Sequence, residues 1–182
     1  MSSKIKTIVL DLDETLLHSE TSNKEQIARE NLSEKKLTDV FLISDYITTI
    51  RPCLGLFLTH LRKKNYRVII WTAGCKRYAF EIVKKIILKW ITPDYVLHSD
   101  HCTESERETG HPKNLKWLQQ QVGDRLNSFL LIDNLPAMAK NNSGRVYTIP
   151  NFECNHLFRP HKCDGKTAVC NDTELLKVMR VI

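Results

Sequence analysis

No stretch of the 182-residue chain approaches the roughly 20 consecutive apolar residues a membrane helix needs, which argues against a helical anchor. Met1-Ser2-Ser3-Lys4 leads straight into an apolar run too short to be an export signal. The expectation is therefore a reduced compartment, cytosol or nucleus, with the scattered cysteines at 53, 75, 102, 154, 163 and 170 as free thiols. Long basic runs and arginine-rich segments are also missing. The net charge of +6, from 27 basic and 21 acidic residues, reads as an evenly solvated basic surface before it reads as a nucleic-acid patch. There is no internal repeat and no low-complexity segment. What remains is an ordinary globular composition, 42% hydrophobic and 26% charged, long enough for one domain over 1–182.

The chain is organised around Ile8-Val9-Leu10-Asp11-Leu12-Asp13-Glu14-Thr15-Leu16-Leu17. A short apolar, β-branched run that stops at two acids reads as a buried parallel strand over 4–11. Carboxylates at the C-terminal end of such a strand lie where open α/β sheets place ligands. Two acids this close repel unless a proton or a cation compensates them, and the simplest compensation is a hard divalent ion such as Mg²⁺. Taken alone, Asp-x-Asp after a strand is also a solvated loop start or a helix cap.

Downstream, residues 14–19 turn away from the strand and the polar stretch 20–36 reads as a surface excursion. Val40–Ile43 and Tyr46–Ile50 form a β-hairpin around Asp45. A helix over 53–64 follows Pro52, and Tyr66 to Trp71 is a second buried strand. Tyr78, Ile82 and Ile86, with Ala79, Val83 and Ile87, give a helix from Lys76 to Leu88 its buried face. Tyr95–Leu97 is a short strand, 99–110 is polar and turn-rich, and Lys113 to Val122 is a helix. Strands at Phe129–Ile132 and Val146–Ile149 and a helix over 172–182 complete the pattern. Strands alternating with helices predict an α/β fold: a parallel sheet with helices on both faces and a small β-hairpin insert within 20–50.

Three further stretches end in chemistry-bearing residues in the right order: Trp71-Thr72-Ala73-Gly74, His111-Pro112-Lys113-Asn114-Leu115 and Phe129-Leu130-Leu131-Ile132-Asp133-Asn134. Alone, Thr72 reads as a helix cap, Lys113 as a surface cation and Asp133-Asn134 as a turn. A lysine opening a helix is disfavoured by the helix dipole, so something negative should offset it. Together with Asp11 and Asp13, the set resembles the four motifs of the haloacid dehalogenase superfamily of phosphotransferases. Asp11-Leu12-Asp13-Glu14-Thr15-Leu16-Leu17-His18-Ser19, Arg51-Pro52, Phe57, Tyr78 and Asp172-Thr173-Glu174-Leu175 resemble, more narrowly, phosphatases of the RNA polymerase II C-terminal domain and their small relatives. The resemblance covers most of 5–150 and resumes at the C-terminus.

The resemblance implies a Mg²⁺-dependent phosphatase acting on phosphoserine or phosphothreonine in proteins, including polymerase-tail-like peptides. Asp11 is the nucleophile that becomes phosphorylated, and Asp13 is the general acid and then base. A two-residue offset on a continuing strand places both on one face. Thr72 and the main chain at Ala73 bind phosphate, and Lys113 stabilises the charge building on the transferring group. Asp11, Asn134 and the main-chain carbonyl of Asp13 hold the metal. Asp133 orients Lys113 or a metal-bound water. Tyr78 matches a wall of an apolar substrate pocket, and Arg107, in the 99–110 loop, is a second candidate for substrate contact.

Asp11 and Thr72 stand 61 positions apart, and Thr72 and Lys113 stand 41 apart. The elements above fill both gaps and leave no room for a large cap domain, so an open cleft and a macromolecular phosphate are expected. Competing readings are a nucleotide or nucleic-acid 3′-phosphatase, which the basic balance allows, and a phosphopeptide-binding scaffold, which the complete motif set disfavours. In the loop 153–170, Cys154, His156, His161, Cys163 and Cys170 offer ligands for Zn²⁺ at a spacing that fits no standard finger. The plainer reading is a loop of thiols and surface histidines.

Overall fold

Consecutive residues of a strand face opposite sides of its sheet, so a strand apolar at every position needs cover on both. β1 (Thr7–Leu10) is buried throughout. It sits in the middle of a five-stranded sheet in a computed structural model that describes residues 5–21, 40–123, 128–153, 161–163, 166–168 and 172–182. β5 (Arg67–Trp71) and β7 (Phe129–Asp133) flank β1, with β6 (Tyr95–Leu97) and β8 (Val146–Thr148) at the edges. All four pairings are parallel.

The pleat divides these side chains between two cores. Ile8, Leu10, Val68, Ile70 and Ile132 face α1 (Leu54–Lys63), α2 (Lys76–Lys85) and α6 (Glu174–Val181). Val9, Ile69, Trp71, Phe129 and Leu131 face α3 (Ser99–Thr109), α4 (Leu115–Val122) and α5 (Pro136–Asn141). This is the expected α/β architecture with helices on both faces. From β1 the chain builds outward through β5 to β6, then returns to the other side of β1 for β7 and β8. The reversal beside β1 opens a crevice at the strands' C-terminal ends, the place such sheets bind ligands.

Between β1 and α1 lies a small antiparallel sheet of β2 (Leu17–Thr21), β4 (Tyr46–Ile50) and β3 (Val40–Ile43), in the order β2-β4-β3. The hairpin has the expected bounds. Its two-residue turn places Ser44 at φ 51°, and Glu81 of α2 accepts from the Ser44 amide at 3.1 Å and hydroxyl at 2.9 Å. The third strand is a correction. Residues 14–19 do not simply turn away; the chain re-enters a strand at Leu17. Only Leu17 of β2 is buried, so no apolar alternation marked it.

Residues 99–110 are a second correction: they form α3, not a turn-rich loop. Only Cys102 and Ser105 of that helix are buried, too thin a stripe to show as periodicity. The helix expected from Lys113 starts at Leu115, because the Asn114 side chain caps it by accepting from the amides of Lys116 and Trp117. The helix expected to reach Leu88 ends at Lys85 and tightens into a 3₁₀ turn at Ile87–Lys89. α5, only six residues long with Pro136 in its first turn, was not anticipated.

Most of the polar excursion and the side chains of the Cys154/His156/His161/Cys163/Cys170 set lie outside the described residues. There the backbones of β9 (His161–Cys163) and β10 (Lys166–Ala168) pair antiparallel. Among the described residues Cys75 and Cys102 are free thiols, and no helix is long and apolar enough to cross a membrane.

Candidate active site

The ends of three adjacent strands converge. β1 delivers Asp11, whose amide still pairs with the Ile132 carbonyl at 3.0 Å; β7 delivers Asp133 and Asn134; β5 delivers Thr72. Lys113 enters from the loop before α4. Its ammonium group lies 2.6 Å from Asp11 Oδ1 and 2.8 Å from Asp133 Oδ2, and the residue is 4% exposed. The negative charge beside Lys113 is thus supplied by two carboxylates, Asp11 and Asp133. Asp133 Oδ1 also accepts from the Leu135 amide at 2.9 Å, which fixes the rotation of that carboxylate.

Burial opposes the charge on Lys113, yet Asp11 and Asp133 outweigh it and hold the ammonium protonated well above the usual lysine range. Burial, and to a lesser degree Asp133 and Asp13, push the Asp11 carboxyl up to about 6 against the downward pull of Lys113. Two carboxylates, Asp11 and Asp133, therefore face one ammonium ion, with Asp13 beside Asp11. The cluster carries more negative charge than it neutralises, and its donors are hard oxygens. That donor set and that charge fit a divalent cation of the Mg²⁺ type, which Asp11, Asn134 and the Asp13 main chain would hold.

Asn134 is fixed from two directions. Thr15 Oγ1, fully buried, accepts from the Asn134 amide and donates to Asn134 Oδ1, both at 3.1 Å. Asn134 Nδ2 donates to Asn151 Oδ1 at 3.1 Å. The side-chain amide orientation follows from these partners, and Oδ1 retains a second lone pair.

Asp13 is held by hydroxyl groups. Thr72 Oγ1 donates to Oδ2 at 2.9 Å and Tyr78 donates to Oδ1 at 2.5 Å. Thr72 Oγ1 in turn accepts from the Gly74 amide at 2.9 Å, and Ala73 is exposed between them. Burial and the neighbouring Asp13 carboxylate raise the Tyr78 phenol far above its ordinary range, so it acts as a donor. The structure thus brings Asp11, Asp13, Thr72, Tyr78, Lys113, Asp133 and Asn134 into one cluster. Arg107 lies elsewhere: its side chain is 73% exposed on α3, beside Glu104 and Glu108.

Several supporting residues escaped the sequence reading. Asn142, from the end of α5, accepts from the Leu115 amide at 2.8 Å and donates to the Lys113 carbonyl at 2.9 Å. Ser105 of α3 donates to the His111 carbonyl at 2.8 Å and accepts from the Asn114 amide at 3.2 Å. Together they fix the backbone on both sides of Lys113. Nothing local distinguishes a buried Asn or Ser from a surface one; burial is the only signal, and burial is tertiary.

Known proteins are similar to this chain in sequence and in fold. The family model described as "NLI interacting factor-like phosphatase" matches residues 6–181. The protein named "Putative CTD phosphatase-like protein 355R" of Invertebrate iridescent virus 3 is 31% identical over 195 residues, which cover 100% of this chain and 97% of that one. Among solved structures, Fcp1, an essential RNA polymerase II CTD phosphatase, aligns with a TM-score of 0.58 at 21% identity. That alignment covers 97% of this chain and 48% of Fcp1, so the chain spans about half of that protein. A HAD-family enzyme from Bacteroides thetaiotaomicron, solved with magnesium and inorganic phosphate, aligns with a TM-score of 0.53 at 17% identity, covering 85% of this chain and 100% of that one. The fold is that of the haloacid dehalogenase-like hydrolases, and the chain belongs to the NLI-interacting-factor-like, or Fcp1/small-CTD-phosphatase-like, family of phosphatases.

Proposed function

We propose that the protein is a Mg²⁺-dependent phosphatase that hydrolyses phosphoserine and phosphothreonine esters on proteins, polymerase-tail-like peptides among them, through a phosphorylated Asp11. The observation that carries this reading is the buried Lys113 ammonium between Asp11 and Asp133 at the C-terminal ends of β1 and β7. A bare surface lysine needs no such enclosure; a lysine that must meet a phosphoryl group beside a nucleophile does.

The Asp11 carboxylate attacks phosphorus, the bond from phosphorus to the serine or threonine oxygen breaks, and Asp13 passes its proton to that departing oxygen. Lys113 and the Thr72 hydroxyl face the charge gathering on the phosphoryl oxygens. Asp13, now a carboxylate, then takes a proton from the water that attacks the phosphorylated Asp11, releasing phosphate and restoring both aspartates. Bound Mg²⁺ supplies charge neutralisation that lets the Asp11 carboxylate and an anionic ester approach. Like charges about 4 Å apart repel by about 4 kcal/mol at an effective dielectric near 20. A protein substrate is favoured by the small insert between β1 and α1, which among the described residues is only a three-stranded sheet.

Turnover of 4-nitrophenyl phosphate with Mg²⁺ tests the chemistry: it should vanish in Asp11→Asn and on chelation, and its survival in either condition would refute the reading. Side-by-side assay of phosphoserine peptides and 3′-phosphorylated oligonucleotides tests the substrate class. Faster release of phosphate from the oligonucleotides would replace the protein substrate with a nucleic acid.

A further inference from the structure

Tyr78 matches a substrate-pocket wall by resemblance, but its hydroxyl turns inward. The single phenolic proton goes to Asp13 Oδ1. Ser19 Oγ lies 2.7 Å from the same phenolic oxygen, so Ser19 is the donor in that pair, and Thr48 Oγ1, 2.8 Å from Ser19, donates to Ser19. The hydroxyls form a one-way chain from Thr48 through Ser19 and Tyr78 to Asp13. Thr48 is fully buried at the chain's inner end. Hydrogen bonds aligned in this sense polarise one another.

Two further features fix the ring that carries the hydroxyl. Tyr46 packs its ring against that of Tyr78, edge-on, with centroids 5.5 Å apart. Gly74 leaves the space that the Tyr78 ring fills: a Cβ there would stand 2.6 Å from Tyr78 Cδ1, 3.1 Å from Cε1 and 3.2 Å from Thr72 Oγ1. A ring buried between a strand and a second aromatic cannot yield that distance without moving its hydroxyl.

We propose that Tyr78 is a positioning residue for Asp13, and that Ser19 and Thr48 of the small antiparallel sheet hold Tyr78 in place. This rests on Asp13 as the proton donor of the proposed reaction. Asp13 has two fastenings, Thr72 and Tyr78, and Thr72 must also serve the phosphate. Its hydroxyl carries one proton, which cannot go to Asp13 and to a phosphate oxygen at once. Tyr78 is then the fastening that persists while substrate is bound. A carboxylate turns easily about its last torsion, so losing that donor lets the proton-bearing oxygen swing away from the departing atom. The insert sheet thereby becomes part of the catalytic apparatus as well as a platform beside it.

The test is the dependence of kcat/KM on the leaving group, measured with Mg²⁺ over substituted phenyl phosphates from 4-nitrophenyl to 4-methoxyphenyl. The first leaves readily as an anion; the second needs the proton more. In Asp13→Asn, kcat/KM should fall more for the 4-methoxy ester than for the 4-nitro ester. Tyr78→Phe, which keeps the ring, should show the same bias, with the ratio between the two esters widening about tenfold. Gly74→Ala should follow Tyr78→Phe, and Ser19→Ala should give the same sign at about threefold. Because both esters are measured on one preparation, any loss of folded protein cancels in the ratio. If Asp13→Asn shows the bias and Tyr78→Phe lowers both esters equally, the positioning role is wrong while the reaction stands. If Asp13→Asn itself shows no bias, Asp13 is not the proton donor and both readings fall.

Discussion

Arg51 and Lys113 are both buried, and their surroundings differ in a way that separates chemistry from architecture. Arg51 is 0% exposed. It donates to Asp172 Oδ1 and Oδ2 at 3.0 and 2.8 Å and to the carbonyls of Thr15 and Pro150 at 2.9 Å, and its guanidinium lies 5.5 Å from the centre of the Phe152 ring. One cation meets one carboxylate, and the remaining bonds go to neutral carbonyls. Asp172 also accepts from the Glu174 amide, so the clamp ties the start of α6 to the loop after β1. Lys113 instead meets two carboxylates, with Asp13 close by, at the open end of the sheet. The first arrangement is electrically closed. The second has surplus negative charge that invites a further cation, and a charge surplus in a protein interior is costly unless function requires it.

The comparison predicts different failures. Lys113→Met should lower turnover of 4-nitrophenyl phosphate by about 10³-fold or more, since a donor at the developing charge is lost. Retained turnover within tenfold would place Lys113 with Arg51 as a structural cation. Arg51→Met should instead lower stability by about 3–5 kcal/mol, because Asp172 and two carbonyls lose their partner. Denaturant unfolding measures this, and at low temperature the folded fraction should keep far more activity than Lys113→Met.

The smallest effect concerns His18, whose ring meets Glu14 at 2.8 Å and Glu20 at 3.1 Å. Burial opposes its charge, but the hydrogen bonds it donates to the two glutamates win and raise its affinity for the proton. A raised folded value means that the stabilisation is complete below the ordinary value of 6.5 and fades as pH rises through the higher folded value. Wild type should exceed His18→Gln by about 0.5 kcal/mol below that window and converge with it above. A gap that widens with rising pH would contradict the assignment.

Much of this arrangement was legible in the residue order because it rests on local physics. A strand buried on both faces has to be largely apolar, so the apolar runs of β1, β5 and β7 stand out, and so does the acid or hydroxyl at the end of each. The hairpin at 40–50 is visible for the same reason, through its β-branched and aromatic content. α3 and β2 were not legible, since each buries too few apolar side chains to leave a period. Lys113 could be marked by its motif, but Asn142 and Ser105, which hold its loop, carry no local mark.

The succession of apolar segments and terminal polar residues settles the α/β class and nominates Asp11, Asp13, Thr72, Lys113, Asp133 and Asn134, because strand periodicity and motif spacing are properties of neighbours along the chain. Which groups meet is a property of contacts across it. Arg51 and Asp172 stand 121 positions apart, and Thr15 and Asn134 stand 119 apart. The turning of Tyr78 toward Asp13, the one-way hydroxyl chain through Ser19 and Thr48, and the excess of carboxylates around Lys113 exist only once distant strands lie side by side. Hydrogen-bond direction and local charge balance depend on distances of a few ångströms, and sequence separation does not encode them.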